Sequence, residues 1–147
     1  MQKNLICQAY KDLENSLKLL EYSLSKYEPF DPTVVYNFED LEYYDSLSFR
    51  FEKAVEAIFY FFKTLEIYLY GESSDTYRKM LQRMEKLNLI KNLEIYMEIK
   101  ILRNKVVHAY LPEKLEEIYS NVKQFGDILL EDFIKIKKFI KEETSCL

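Results

Sequence analysis

A chain of 147 residues has the length of one domain and can bury one hydrophobic core. Hydrophobic residues at 48% and charged residues at 31% exclude an intrinsically disordered chain, and two glycines and three prolines are too few for the turns of an all-β domain. The net charge of −4 excludes a protein that coats nucleic acid through a broadly basic face, while leaving room for a local basic site.

The first predicted helix spans about 4–27, where Leu5, Ala9, Leu13, Leu17, Leu20 and Leu24 recur at steps of four and three. The next stretch, about 28–45, breaks that period. It carries Pro29, Pro32 and six acidic residues with no basic one, and reads as an acidic, aromatic connection, either a solvated linker or a functional segment. Asp45 or Ser46 can cap a second helix that runs to Tyr70 and stops at Gly71. Its stripe (Leu47, Phe51, Ala54, Val55, Ile58, Phe62, Leu65, Leu69) is widened by Phe49, Phe59, Tyr60, Phe61 and Tyr68. A helix apolar around so much of its circumference is either central to a bundle or buried against a second subunit.

A third helix is predicted over about 73–87 and a short break at 88–92. A fourth then carries Ile95, Ile99, Leu102 and Val106 on one stripe, limited by Leu111-Pro112. A fifth, about 113–142, shows the near-alternate threes and fours of a bundle seam. No repeat or composition shift marks a second domain. The expected fold is all-α: a single antiparallel, up-and-down bundle of four to five helices over 1–147.

Cys7 and Cys146 lie near opposite ends; a disulfide between them is one reading, and two reduced thiols of a cytoplasmic protein are the favoured one. With one histidine and two distant cysteines, no conventional zinc site is expected, and no cofactor. The start lacks the apolar run of a signal peptide, and no apolar stretch approaches the length of a membrane span. With glycine only at 71 and 126, there is no glycine loop to cradle phosphates. The lone His108 has no serine or cysteine near it in sequence to form a nucleophile–base pair.

The segment that remains is Arg103-Asn-Lys-Val-Val-His-Ala-Tyr110, closing the fourth helix. At about 100° per residue, Arg103 and Tyr110 fall on nearly one stripe and Asn104 and His108 on another, with Arg103 and His108 about 140° apart. Arg103 borders the apolar stripe and needs a partner, Glu98 or Glu52, or a path to solvent. A regular helix would not aim Arg103 and His108 at one atom, so a shared site needs a deformed helix end or two chains. Taken singly, a histidine near a helix C-terminus is a partner for the helix dipole, and an arginine is a salt-bridge residue. Arg50, Glu52 and Glu56 read as structural pairs.

Arginine, a polar residue, three variable positions, histidine, one residue and tyrosine is the pattern of HEPN domains of the HepT type, and this chain resembles them at Arg103, Asn104, His108 and Tyr110. Phe49-Arg-Phe-Glu52, Glu56 and Lys63-Thr-Leu-Glu-Ile-Tyr-Leu69 resemble the family's second helix, and the helix order agrees over roughly 45–140. The resemblance implies a homodimeric ribonuclease toxin that cleaves RNA without metal by attack of the 2′-hydroxyl on the adjacent phosphate. Its catalytic residues would be Arg103 and His108. Asn104 and Tyr110 would support them or bind substrate, with Lys100 and Lys105 making the local surface basic. It further implies a partner, an MntA-type minimal nucleotidyltransferase antitoxin, with Tyr110 as the acceptor of AMP groups. Two other readings are a non-catalytic module that binds a nucleotide or substrate for such a nucleotidyltransferase, and a bundle serving assembly alone.

Overall fold

The computed structural model describes residues 2–108 and 111–147. Five helices and no strand occur among them: α1 (Gln2–Leu24), α2 (Phe38–Tyr70), α3 (Tyr77–Lys86), α4 (Leu93–Val107) and α5 (Pro112–Glu143). The all-α bundle expected from the periodicity is what the chain forms. Helix α2 sits at its centre and touches the other four.

The pairing is up-and-down. Tyr10 of α1 meets Phe61 of α2, while Ser23, near the end of α1, meets Tyr43 and Arg50 in the first half of α2. Between α2 and α4, Arg103 meets Glu56 while Tyr96 packs on Phe62. Leu13, Leu17, Leu20, Leu47, Phe51, Ile58, Phe61, Phe62, Leu65, Ile99, Leu129 and Ile136 are buried in one core. The fourth helix is rotated from its expected stripe. Tyr96 is fully buried while Ile95 and Val106 are half-buried, because the Tyr96 hydroxyl reaches the buried Asp132 carboxylate at 2.8 Å.

Helix α1 ends at Leu24 rather than about 27, α3 begins at Tyr77 rather than about 73, and the largest difference from the sequence reading is at the start of α2. Helix α2 begins at Phe38, two turns before Asp45, because the Asn37 side chain accepts the Asp40 N–H at 2.8 Å and caps the helix. Glu39 and Asp40 then lie in the first turn, where the helix dipole favours negative charge. The connection is 25–37 and keeps only two of the six acids, Glu28 and Asp31, the other four lying in α2. It is pinned: Phe30 packs on Tyr36, Tyr44 and Tyr119, and the Tyr43 and Tyr44 hydroxyls donate to the Ser23 and Glu28 carbonyls. Burial, foremost, holds the Tyr43 phenol up to about 12. The far boundary of α2 is as expected, with Gly71 at φ 78° donating its N–H to the Ile67 carbonyl.

The expectation of two separate reduced thiols is corrected: Cys7 and Cys146 form a disulfide, with Cα atoms 5.2 Å apart. Antiparallel α1 and α5 bring their outer ends together. Thr144 then ends α5 and its hydroxyl accepts the Cys146 N–H at 3.2 Å, turning the tail toward Cys7.

Candidate functional site

Helix α4 starts at an Asn92 cap, whose side chain accepts the N–H groups of Glu94 and Ile95, and runs regularly through Val107. Burial of Tyr96, Ile99 and Leu102 against the core fixes its rotation and turns Ile101, Asn104, Lys105 and His108 to solvent. Arg103 falls between these faces and is half-buried.

Its guanidinium is held by α2. Nη2 donates to Glu52 at 3.2 Å and makes a short ion pair with Glu56. Nη1 donates to Oδ1 of Asn104 at 3.1 Å. Of the two partners read from the sequence, Glu52 is engaged; Glu98 is in no ion pair with Arg103 among the described residues. Nε is buried with no hydrogen-bond partner among the described residues. Burial pushes the Glu56 carboxyl up, but the bond from Arg103 and the charges of Lys53 and Arg103 outweigh it, and the net shift is downward. Glu56 therefore stays ionised over the neutral range and keeps Arg103 in place.

His108 is the residue at which α4 ends. Its backbone N–H bonds to the Lys105 carbonyl at 3.1 Å, and its exposed imidazole has no hydrogen-bond partner among the described residues. Asn104 is committed to Arg103 and makes no bond to the imidazole. Lys105 is exposed in the last turn. Tyr110 lies outside the described residues.

Arg103 and Asn104 form one edge of a groove of about 630 Å³ that excludes His108. Val55, Phe59 and Met80 contribute apolar surface to it, while Tyr60, Lys63, Tyr77 and Lys100 contribute rings and charges. Its far wall, 73–77, is fixed by Glu66, which is 1% exposed. Glu66 accepts the Ser74 N–H at 3.0 Å, the Ser74 hydroxyl through a short bond, and Arg83 at 2.9 Å. Lys100 lies with its ammonium 4.3 Å from the centre of the Tyr77 ring.

The structure thus joins Arg103, Asn104 and Lys100 in one groove and leaves His108 and Lys105 on the outer stripe of α4. Tyr60, Lys63 and Tyr77 were missed as site residues by the sequence reading. The first was read as a widening of an apolar stripe, and only the fold brings α3 alongside α2 and α4. Among the described residues no group of three or more metal-ligating side chains gathers, and no helix is long and apolar enough to cross a membrane.

Comparison of the chain with protein-family models, with curated proteins and with solved structures found no match.

Proposed function

We propose that the chain is a ribonuclease toxin of the HepT type, acting as a homodimer whose cleft combines Arg103 of one copy with His108 of the other. The observation that carries this reading is the division of labour at the end of α4. A half-buried arginine is held by two carboxylates and an amide, and a solvent-facing histidine on a different face has no competing partner among the described residues.

The chemistry suits those placements. An imidazole can take the proton of the attacking 2′-hydroxyl or deliver one to the leaving 5′-oxygen. A single imidazole cannot do both in one step, and a two-fold cleft supplies a second. Arginine presents a fixed charge with paired donors to the phosphate oxygens as charge builds on them. Ile101 and Val107 on α4 and Leu111 at the start of α5 leave apolar side chains exposed, at 55%, 46% and 61%, which supports burial of this region against another copy. An MntA-type nucleotidyltransferase as antitoxin and Tyr110 as its AMP acceptor complete the proposal. We place the protein in the cytoplasm, where a toxin of this kind meets its RNA. The Cys7–Cys146 bridge weighs against that placement, since a reducing cytosol keeps thiols apart.

Wild type, His108→Ala and Arg103→Ala are to be expressed and purified, then scored for growth arrest and for RNA cleavage in the presence of a chelator. Wild type is expected to arrest growth and leave 2′,3′-cyclic phosphate ends. Each variant should cleave about 10²-fold or more slowly. A wild-type dimer that cuts no RNA overturns the nuclease reading.

The groove favours a second reading, a non-catalytic module that binds a nucleotide for a nucleotidyltransferase, because it takes in Arg103 and Asn104 without His108. In that case nucleotide binding would survive where cleavage does not occur.

A further inference from the structure

We infer that the groove between α2, α3 and α4 is a subsite for one nucleotide of single-stranded RNA, with its base against Tyr60 and Tyr77 and its phosphate on Lys63 and Lys100. The inference deepens the RNA-cleaving reading and rests on it for the identity of the strand.

Charge balance singles out the two lysines. Three acids line the groove, and each has its own cation: Glu56 pairs with Arg103 and Lys53, Glu66 with Arg83, and Asp75 with Lys79. Lys63 and Lys100 form no ion pair among the described residues. Two cations without counter-ions in one concave, partly apolar site are suited to an anion.

The rings supply the second half of the ligand. Tyr60 and Tyr77 are 55% and 51% exposed, although other aromatic side chains of α2, such as Phe59 and Phe62, are buried. The Tyr77 ring is held edge-on to Phe59 at 5.6 Å, so its orientation is fixed before anything binds. The Lys100 ammonium lies 4.3 Å from the centre of that ring, so the proposed phosphate partner and the proposed base platform are adjacent. A flat heterocycle joined to a phosphate matches rings and lysines together. Single-strand binding sites combine these elements, stacking platforms beside backbone-tracking cations. Arg103 on the groove's edge puts the held nucleotide next to the phosphate on which the proposed chemistry acts.

The test uses the full-length chain and a fluorescently labelled, 2′-O-methylated RNA of about 10 nucleotides, which lacks the attacking hydroxyl and reports binding alone. Anisotropy titrations over a range of salt would compare wild type with Tyr60→Ala, Tyr77→Ala, Tyr77→Phe, and Lys63→Ala/Lys100→Ala. The surface pair Lys137→Ala/Lys138→Ala on α5 serves as control, and circular dichroism checks each fold.

Each tyrosine-to-alanine change should weaken binding about fivefold or more, while Tyr77→Phe and the α5 pair bind as wild type. The groove lysine pair should lower the slope of log affinity against log salt by about 1.4, the value for two lost single-strand phosphate contacts. If the folded groove variants bind with wild-type affinity and salt slope, or if wild type does not bind the strand, the subsite is overturned. The nuclease reading is separable. Cleavage of unmodified RNA that is lost in His108→Ala but indifferent to the groove changes refutes the subsite alone. Groove-dependent binding by a protein that never cleaves supports the subsite and refutes the nuclease.

Discussion

At the scale of single residues, Arg103 and Asp132 show two ways of housing a charge in this bundle. Arg103 lies at the edge of the core and exchanges water for two carboxylates and an amide, leaving one N–H unmatched among the described residues. Asp132 is almost wholly enclosed, at 2% exposure, and is held by the Tyr96 hydroxyl at 2.8 Å, Lys135 at 3.4 Å and the Lys91 N–H at 3.5 Å. The Asp132 charge and, above all, burial hold the Tyr96 phenol well above its ordinary range, so it remains a donor. Replacing Tyr96 with phenylalanine removes that donor while preserving the ring, and should cost about 2 kcal/mol in urea unfolding. The core stripe of α4 was legible from Ile99 and Leu102. Its rotation was not, because a hydroxyl-bearing ring is equally at home at a surface, and its buried partner lies 36 residues away.

Among the helices, α2 carries the architecture and most of the site. Its C-terminal stop was readable because Gly71 has a local cause: a φ of 78° that residues with a Cβ adopt only at a cost. A Cβ placed there would meet nothing within 4 Å, so Gly71→Ala isolates the backbone term. The expected loss is about 1–2 kcal/mol, read as a lower urea midpoint with unchanged slope. The N-terminal start was not readable to the same degree, since Asn37, Asp45 and Ser46 all have capping side chains. Packing of Tyr43 and Tyr44 on the preceding connection favours Asn37. The groove lay further beyond sequence reach. Its far wall exists because Glu66, inside an apolar stretch of α2, captures both Ser74 and Arg83. An acidic residue on a mostly apolar helix gives no sign of which loop it will hold.

For the molecule as a whole, the decisive contact joins residues 139 positions apart. Composition suggested reduced thiols because spacing along a sequence says nothing about distance in a bundle. The antiparallel return of α5 along α1 makes the two cysteines neighbours. Closing so long a loop restricts the unfolded chain, by about 5 kcal/mol in the chain-entropy treatment, with about 2–5 kcal/mol usual when such a bridge is removed. Cys146→Ser, or reduction of the wild type, should lower the unfolding free energy within that range. Helix content should stay the same, because the core between α1, α2 and α5 is built from fully buried side chains such as Leu13, Leu17 and Leu129, with the two cysteines only packed against its edge. An unchanged urea midpoint on reduction would show that the bridge contributes nothing to folding.

The same covalent link has a mechanical meaning. Tension applied outside Cys7 and Cys146 runs through the sulfur–sulfur bond and bypasses the chain between them, from the rest of α1 through α5. The oxidised chain is a closed ring under load. In a pulling experiment the segment between the cysteines would stay shielded, and it would begin to bear force when a reductant opened the ring.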